Sequence, residues 1–318
     1  MKRLTILLLA LALLLCACGA PAAPAAEESA APAASGPAAE NTPAPEPEPT
    51  PTPEPPEVFP VEFSQTLADT EDCLAEVTAL GLDGEGNWIF HLRMENRAGE
   101  IQNFQYLYQS INGLCCESFL YRLAVGESVE RTFRVFRDTL SAFGDAREVQ
   151  WSFTLLVTSA ESNRDAYFEE RCSVCPAGEG QILRYTYTPG ANDMTAMDNE
   201  YAAVYITGVS REAEGLSVDF VAVNRTETPL RLQLSPRYSS TADYREITGV
   251  LRDDVAPYST LVGYIPFTGE ALDGMERVNT LRFLLQLADP EEDPEEPLEG
   301  SSVWVTLEAN LELHDKTG

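Results

Sequence analysis

Trp88-Ile89-Phe90-His91-Leu92-Arg93-Met94-Glu95-Asn96-Arg97 is the stretch that decides the fold. Trp88, Phe90, Leu92, Met94 and Asn96 recur at every second position, with His91, Arg93 and Glu95 between them. A period of two is that of a strand with one apolar and one polar face. Leu216, Val218, Phe220, Ala222 and Asn224 repeat the pattern with Ser217 and Asp219 between them, and again Arg225 follows the asparagine.

Outward from these runs the chain reads twice through one order. Val77 and Tyr205 lie in matching strands upstream. Ala124-Val125-Gly126-Glu127-Ser128 matches Val255-Ala256-Pro257-Tyr258-Ser259, a turn feeding a strand that ends at Phe136 or Phe267. Asp138 to Gly144 and Gly269 to Gly274 each suit one helical turn with a glycine stop. Trp151, Phe153, Leu155 and Val157 match Leu281, Phe283, Leu285 and Leu287. A last hairpin partner follows in each half, Tyr167 to Val174 or Ser302 to Leu307. About seven strands per unit fit an immunoglobulin-like antiparallel sandwich, so an all-β tandem is expected. Asn112-Gly113 between apolar runs predicts a type I′ hairpin turn, with strands near Phe104 to Ile111 and Leu114 to Tyr121. The second copy has no Asn-Gly and carries Ser239-Ser240-Thr241-Ala242 nearby, which leaves its register open there.

Several of these segments together carry a resemblance. They are Met94-Glu95-Asn96-Arg97, Ser110-Ile111-Asn112-Gly113, Leu123-Ala124-Val125-Gly126-Glu127, the Leu140 to Gly144 turn and Val149-Gln150-Trp151-Ser152-Phe153. Their order resembles a family of uncharacterised extracytoplasmic immunoglobulin-like domains, common in lipoproteins of Gram-positive anaerobes. The likeness spans Leu74 to Val174 and, more loosely, Ala202 to Leu307. It implies the fold and an extracytoplasmic setting, and it brings no catalytic residues with it.

The N-terminus has its own signature. Lys2 and Arg3 precede an apolar run from Leu4 to Leu15, and Leu15-Cys16-Ala17-Cys18-Gly19 follows. A positive start, a short apolar stretch and small residues at a cut site describe a secretory signal. The run falls short of the about 20 residues a membrane span needs. The cysteine at the cut site resembles a bacterial lipobox. Ala17 before Cys18 suits the peptidase better than Leu15 before Cys16, so Cys18 is the expected lipidated residue. Its acyl chains would place the protein on the outer face of the cell membrane. Residues 1–17 are then the signal peptide. Residues 18–57, rich in Ala, Pro and Glu without aromatics, form a disordered tether. Extended as polyproline II, Thr42 to Pro60 would span roughly 60 Å. Residues 58–178 and 179–318 are the two sandwiches.

A formal net charge of −30 leaves no basic face for nucleic acid. The acidic run Asp289 to Pro297 reads as a solvated loop rather than a calcium site, because its prolines resist wrapping an ion. Five cysteines remain beyond Cys16 and Cys18 in a total of seven. The expected structural disulfide joins Cys73 to Cys172 or Cys175, while Cys115 and Cys116 should place one thiol inside and one outside. Cys172-Ser173-Val174-Cys175 has the C-x-x-C spacing of redox sites but no helix behind it to lower a thiol pKa. His91 and His314 are the only histidines, and His91 sits on a polar strand face. The Tyr106/Tyr108 and Tyr185/Tyr187 pairs read as sheet-face packing. No catalytic residues, cofactor or metal site stand out. The expectation is therefore a surface binding module without catalytic activity, its ligand a protein, glycan or small molecule. The alternatives are a solute-recognition or envelope-assembly accessory beside a transporter or wall enzyme, and an enzyme with a cryptic acidic or thiol site.

Overall fold

A computed structural model describes residues 62–135, 149–161, 166–176, 178, 184–212, 215–273, 275–290 and 296–312. The signal, the tether, Phe136, the first of the two helical turns and His314 lie outside them. The fold is all-β, built from sandwich-like antiparallel sheets. The first copy has β1 (Gln65–Asp69), β2 (Cys73–Leu82), β3 (Trp88–Asn96), β4 (Gln102–Ile111), β5 (Leu114–Cys115), β6 (Phe119–Leu123), β7 (Ser128–Val135), β8 (Trp151–Ser159) and β9 (Phe168–Val174). One sheet runs β1-β2-β3-β7, and the facing one runs β6-β4-β8-β9.

The second copy follows with β10 (Met194–Asp198), β11 (Ala202–Glu212), β12 (Gly215–Asn224), β13 (Leu230–Leu234), β14 (Ser240–Ala242), β15 (Arg245–Gly249), β16 (Arg252–Val255), β17 (Thr260–Thr268), the single helical turn α1 (Glu270–Asp273), β18 (Arg277–Ala288) and β19 (Ser302–Glu312). Its sheets are β10-β11-β12-β17 and β16-β13-β18-β19, with β14 also on β18.

Strand alternation fills two separate cores. Trp151 is fully buried and touches Phe90, Tyr106, Phe133 and Phe153, with ring centroids 4.2 to 5.7 Å apart. Its indole N–H donates to Gln109 Oε1 at 2.8 Å, so the ring is buried without a stranded donor. The second core is built on Phe220, Phe267, Phe283 and the leucines of β18. Burying side chains of this size contributes about 1.5–3 kcal/mol each.

The two Asn-Arg pairs do one job twice. Asn96 is buried, and its amide donates to the carbonyls of Glu100, Leu123 and Ala124 at 2.9 to 3.1 Å while its Oδ1 accepts from Ala98 N. Asn224 donates to Thr228 and Val255 carbonyls at 2.8 and 3.0 Å and accepts from Thr226 N. Each asparagine ties the crossover between sheets to the loop entering β7 or β17. Arg97 then reaches Asp69 and the Thr70 carbonyl, and Arg225 reaches Asp198 and the Asn199 carbonyl.

The register refines the repeat. Val77 matches Ile206 rather than Tyr205, since Gln65 pairs with Val77 and Met194 with Ile206. Glu127 rather than Ser128 matches Ser259, because these carbonyls accept from Asn96 N and Asn224 N. The anticipated hairpin forms with Asn112 at φ 48° and Gly113 at φ 80°. Its return strand is broken into β5 and β6. In the second copy the turn is Asp243-Tyr244, at φ 45° and 66°.

The first turn docks the two sandwiches together. Gly113 C=O accepts from Thr260 N at 2.7 Å, and β5 and β17 form one parallel bridge there. Asn112 C=O accepts from Tyr185 N at 2.7 Å. Arg171 donates to the Glu227 and Pro257 carbonyls at 3.3 and 3.4 Å.

Replacing Asn96 by Ala strands three carbonyls near a dry core. An expected loss of about 2–3 kcal/mol for Asn96→Ala, and a similar one for Asn224→Ala, is measurable as a lowered guanidinium midpoint. A midpoint unchanged in both variants contradicts the clasp role.

Candidate functional site

Superposed by their strand registers, the two copies diverge most at one end. Ser110, Ser152 and Ser173 of the first copy correspond to Thr241, Arg282 and Thr306 of the second. Arg171 corresponds to Trp304 and Gly113 to Tyr244. On the outer face of β14, β18 and β19 one serine has thus given way to arginine, two serines to threonine and an arginine to tryptophan. The segment between Leu234 and Thr241, longer than its counterpart between Tyr106 and Ser110, adds Tyr238 beside them.

These residues make a shallow groove of about 380 Å³ lined by Thr241, Tyr244, Thr280, Arg282, Trp304 and Thr306. The Arg282 guanidinium lies 4.2 Å from the Trp304 ring centroid, a cation–π contact. Tyr238 meets Trp304 edge-on at 5.7 Å. Trp304 keeps 43% of its surface exposed and Tyr244 keeps 97%.

Tyr244 is held at a backbone conformation that side-chain-bearing residues avoid. The hook that holds it is shared by both copies. Asn112 Oδ1 accepts from Gln150 N at 2.6 Å, and Asp243 Oδ1 accepts from the matching Thr280 N at 2.7 Å. After the hook, the first copy spends its left-handed position on glycine and the second on a tyrosine. A Cβ on Gly113 would already touch the Tyr185 and Tyr258 backbones at 3.9 Å. A ring beyond it would press on the docked segments. The first turn is thus shaped to dock, and the second to present a ring.

The cysteines differ from expectation. Cys18 lies outside the described residues. Cys73 and Cys172 are free thiols and no bridge joins Cys73 to Cys172 or Cys175. The register explains this. Cys73 pairs with Asn96 at one end of the sandwich, whereas Cys172 pairs with Phe153, roughly 20 Å along the strands, and Cys175 lies beyond Val174 at the far end. A disulfide needs Cα atoms within about 7 Å. The Cys175 thiol donates to the Gly178 carbonyl at 3.1 Å. Cys115 and Cys116 do alternate, but both are half-buried: Cys115 packs against the second core and Cys116 against the first. Burial pushes both thiols up to about 12, and that of Cys172 to about 11. His91 is exposed on β3. Tyr106 is buried among core rings, and Tyr187 packs against Tyr205. Residues 291–295 of the acidic run lie outside the described residues. Sequence reasoning missed Tyr238, Tyr244, Arg282 and Trp304. The available signal was the mismatch of the two copies, a tyrosine where the first has glycine.

No family model matches the chain, and no curated protein does. Among solved structures, it matches red sea bream transglutaminase at 11% identity with a TM-score of 0.21, over 72% of this chain and 29% of that one. The chain thus spans under a third of the matched structure. The expectation of a protein without catalytic activity is withdrawn on this finding, since the matched protein is an enzyme. A TM-score this low carries nothing of that enzyme's activity or site to the present chain.

Two outcomes follow from the geometry. Tyr244→Gly relieves the left-handed tyrosine and should raise stability by about 1 kcal/mol, read from chemical denaturation. At pH 8 the raised thiols of Cys115, Cys116 and Cys172 stay protonated, so Ellman's reagent should leave them unmodified until the protein unfolds.

Proposed function

We propose that this chain is a lipid-anchored extracytoplasmic binding protein whose ligand site is the Tyr244–Trp304 face of the second sandwich. In this reading Cys18 carries the lipid and the two sandwiches stand outside the cell. The resemblance of the sequence to Gram-positive extracytoplasmic lipoproteins supports this reading. The observation that carries the binding site is Tyr244, almost wholly exposed at a left-handed φ of 66°. A turn tolerates such a residue at a cost in stability, and strained side chains gather where a ligand is gripped. Arg282, Trp304 and Tyr238 support the reading because the first copy has Ser152 and Arg171 at the first two places and a shorter segment at the third. Trp, Tyr and Arg are the residue types that dominate binding hot spots.

The anchor and the site are tested on intact cells. Labelled palmitate should enter the wild-type chain and Cys16→Ala but not Cys18→Ala. A photo-crosslinking residue at Tyr238 should yield an adduct absent when the same residue replaces Tyr264, which is exposed on the other sheet. Identical products from both positions would count against the face.

A further inference from the structure

We propose that the occupant of this face is a neutral polysaccharide, an inference that rests on the binding face described above. The groove floor is a row of side chains across three neighbouring strands, Thr241 on β14, Arg282 on β18 and Thr306 on β19, set by the pairs Thr241↔Arg282 and Arg282↔Thr306. Thr280 lies one step along β18. Strand spacing makes the row about 10 Å wide. Trp304 and Tyr244 stand at its two ends, about 14 Å apart along the strands by residue count. The groove is therefore long, shallow and open, with an aromatic ring at either end and hydroxyls between.

Each part matches a feature of a sugar chain. A pyranose presents a C–H face that packs on an aromatic ring and hydroxyls at its rim. Threonine hydroxyls both donate and accept, as sugar hydroxyls do, and the guanidinium supplies fixed donors. A protein partner would favour the aromatic and arginine positions but has little use for a threonine floor, since Thr is under-represented among hot spots. Charge points to a neutral polymer. The chain carries a net −30, and Asp243, Glu246 and Glu308 flank the groove. A polyanion meets those carboxylates within a Debye length of about 8 Å. The lining offers one cation, Arg282, already shared with the Trp304 ring.

The test is affinity electrophoresis of the full lipidated chain in detergent, through native gels containing hydroxyethyl cellulose, galactomannan or dextran, with polygalacturonate as the polyanion. Retardation is expected with at least one neutral polymer. Trp304→Ala and Tyr244→Gly should each raise the half-retarding polymer concentration ten-fold or more, and Tyr264→Ala should leave it unchanged. Tyr244→Gly guards against misfolding, because that change favours the turn. No retardation by any neutral polymer, or equal retardation by polygalacturonate, overturns the saccharide assignment. A protein adduct formed only at Tyr238 on cells would then leave the binding face standing with a protein occupant. Retardation unaffected by both groove variants overturns the placement of the saccharide on this face.

Discussion

Two buried asparagine amides hold this structure to its shape. A sandwich must carry its chain from one sheet to the other without stranding backbone carbonyls in the dry gap between them. Asn96 meets that requirement for the first copy and Asn224 for the second, each collecting carbonyls from two loops distant in sequence. The arginine that follows then reaches out to the first strand's carboxylate, Asp69 or Asp198. Strand order, the crossover and the approach of β7 or β17 are fixed together at that point. The same end in the second copy also supplies Tyr258, Ser259 and Thr260, against which the first sandwich docks. The clasp therefore positions the junction as well as the core.

What the two copies share is the frame, and what they do not share is one turn and the face beside it. Both turns use an Asx side chain to cap a backbone N–H across the sheet. In the first, glycine follows and the turn lies against its neighbour. In the second, tyrosine follows and the turn stands clear. Arg171, which spans the junction in the first copy, becomes Trp304 on the open face of the second. One set of positions has thus been used twice, once for intramolecular docking and once for a surface.

The frame was legible in the amino-acid sequence because burial imposes a period of two, and the Asn-Arg pairs mark where that period ends. The matching of Trp151 to Leu281 rests on the same periodicity and agrees with the observed register, in which they pair with Val174 and Leu307. The slip by one residue at Val77 arises in the turn after its strand, where five residues separate Leu82 from Trp88 and four separate the matching Arg211 from Leu216, and the slip at Ser128 arises where loops differ in length. The bulges between Val77 and Ala79 and between Ile206 and Gly208 fall at matching places and leave the correspondence of the copies unchanged. The cysteine pairing failed for a different reason. Sequence places Cys73 and Cys172 on terminal strands but says nothing of how far along those strands they lie. Cys115 misled because its outward face is covered by the other sandwich, a contact that no single strand's pattern encodes. The face around Tyr244 was hidden by its turn chemistry, since Asp-Tyr is not a turn pair that propensity favours.

The junction also governs how the distal groove meets its surroundings. Backbone bonds from Asn112 and Gly113, with Arg171 beside them, tie the second sandwich to the first. Under the proposed anchoring, many such chains in one membrane would offer many grooves to a single polymer. A long polymer caught by one then sits at high local concentration for the next, and avidity grows with crowding while each single grip stays weak and reversible.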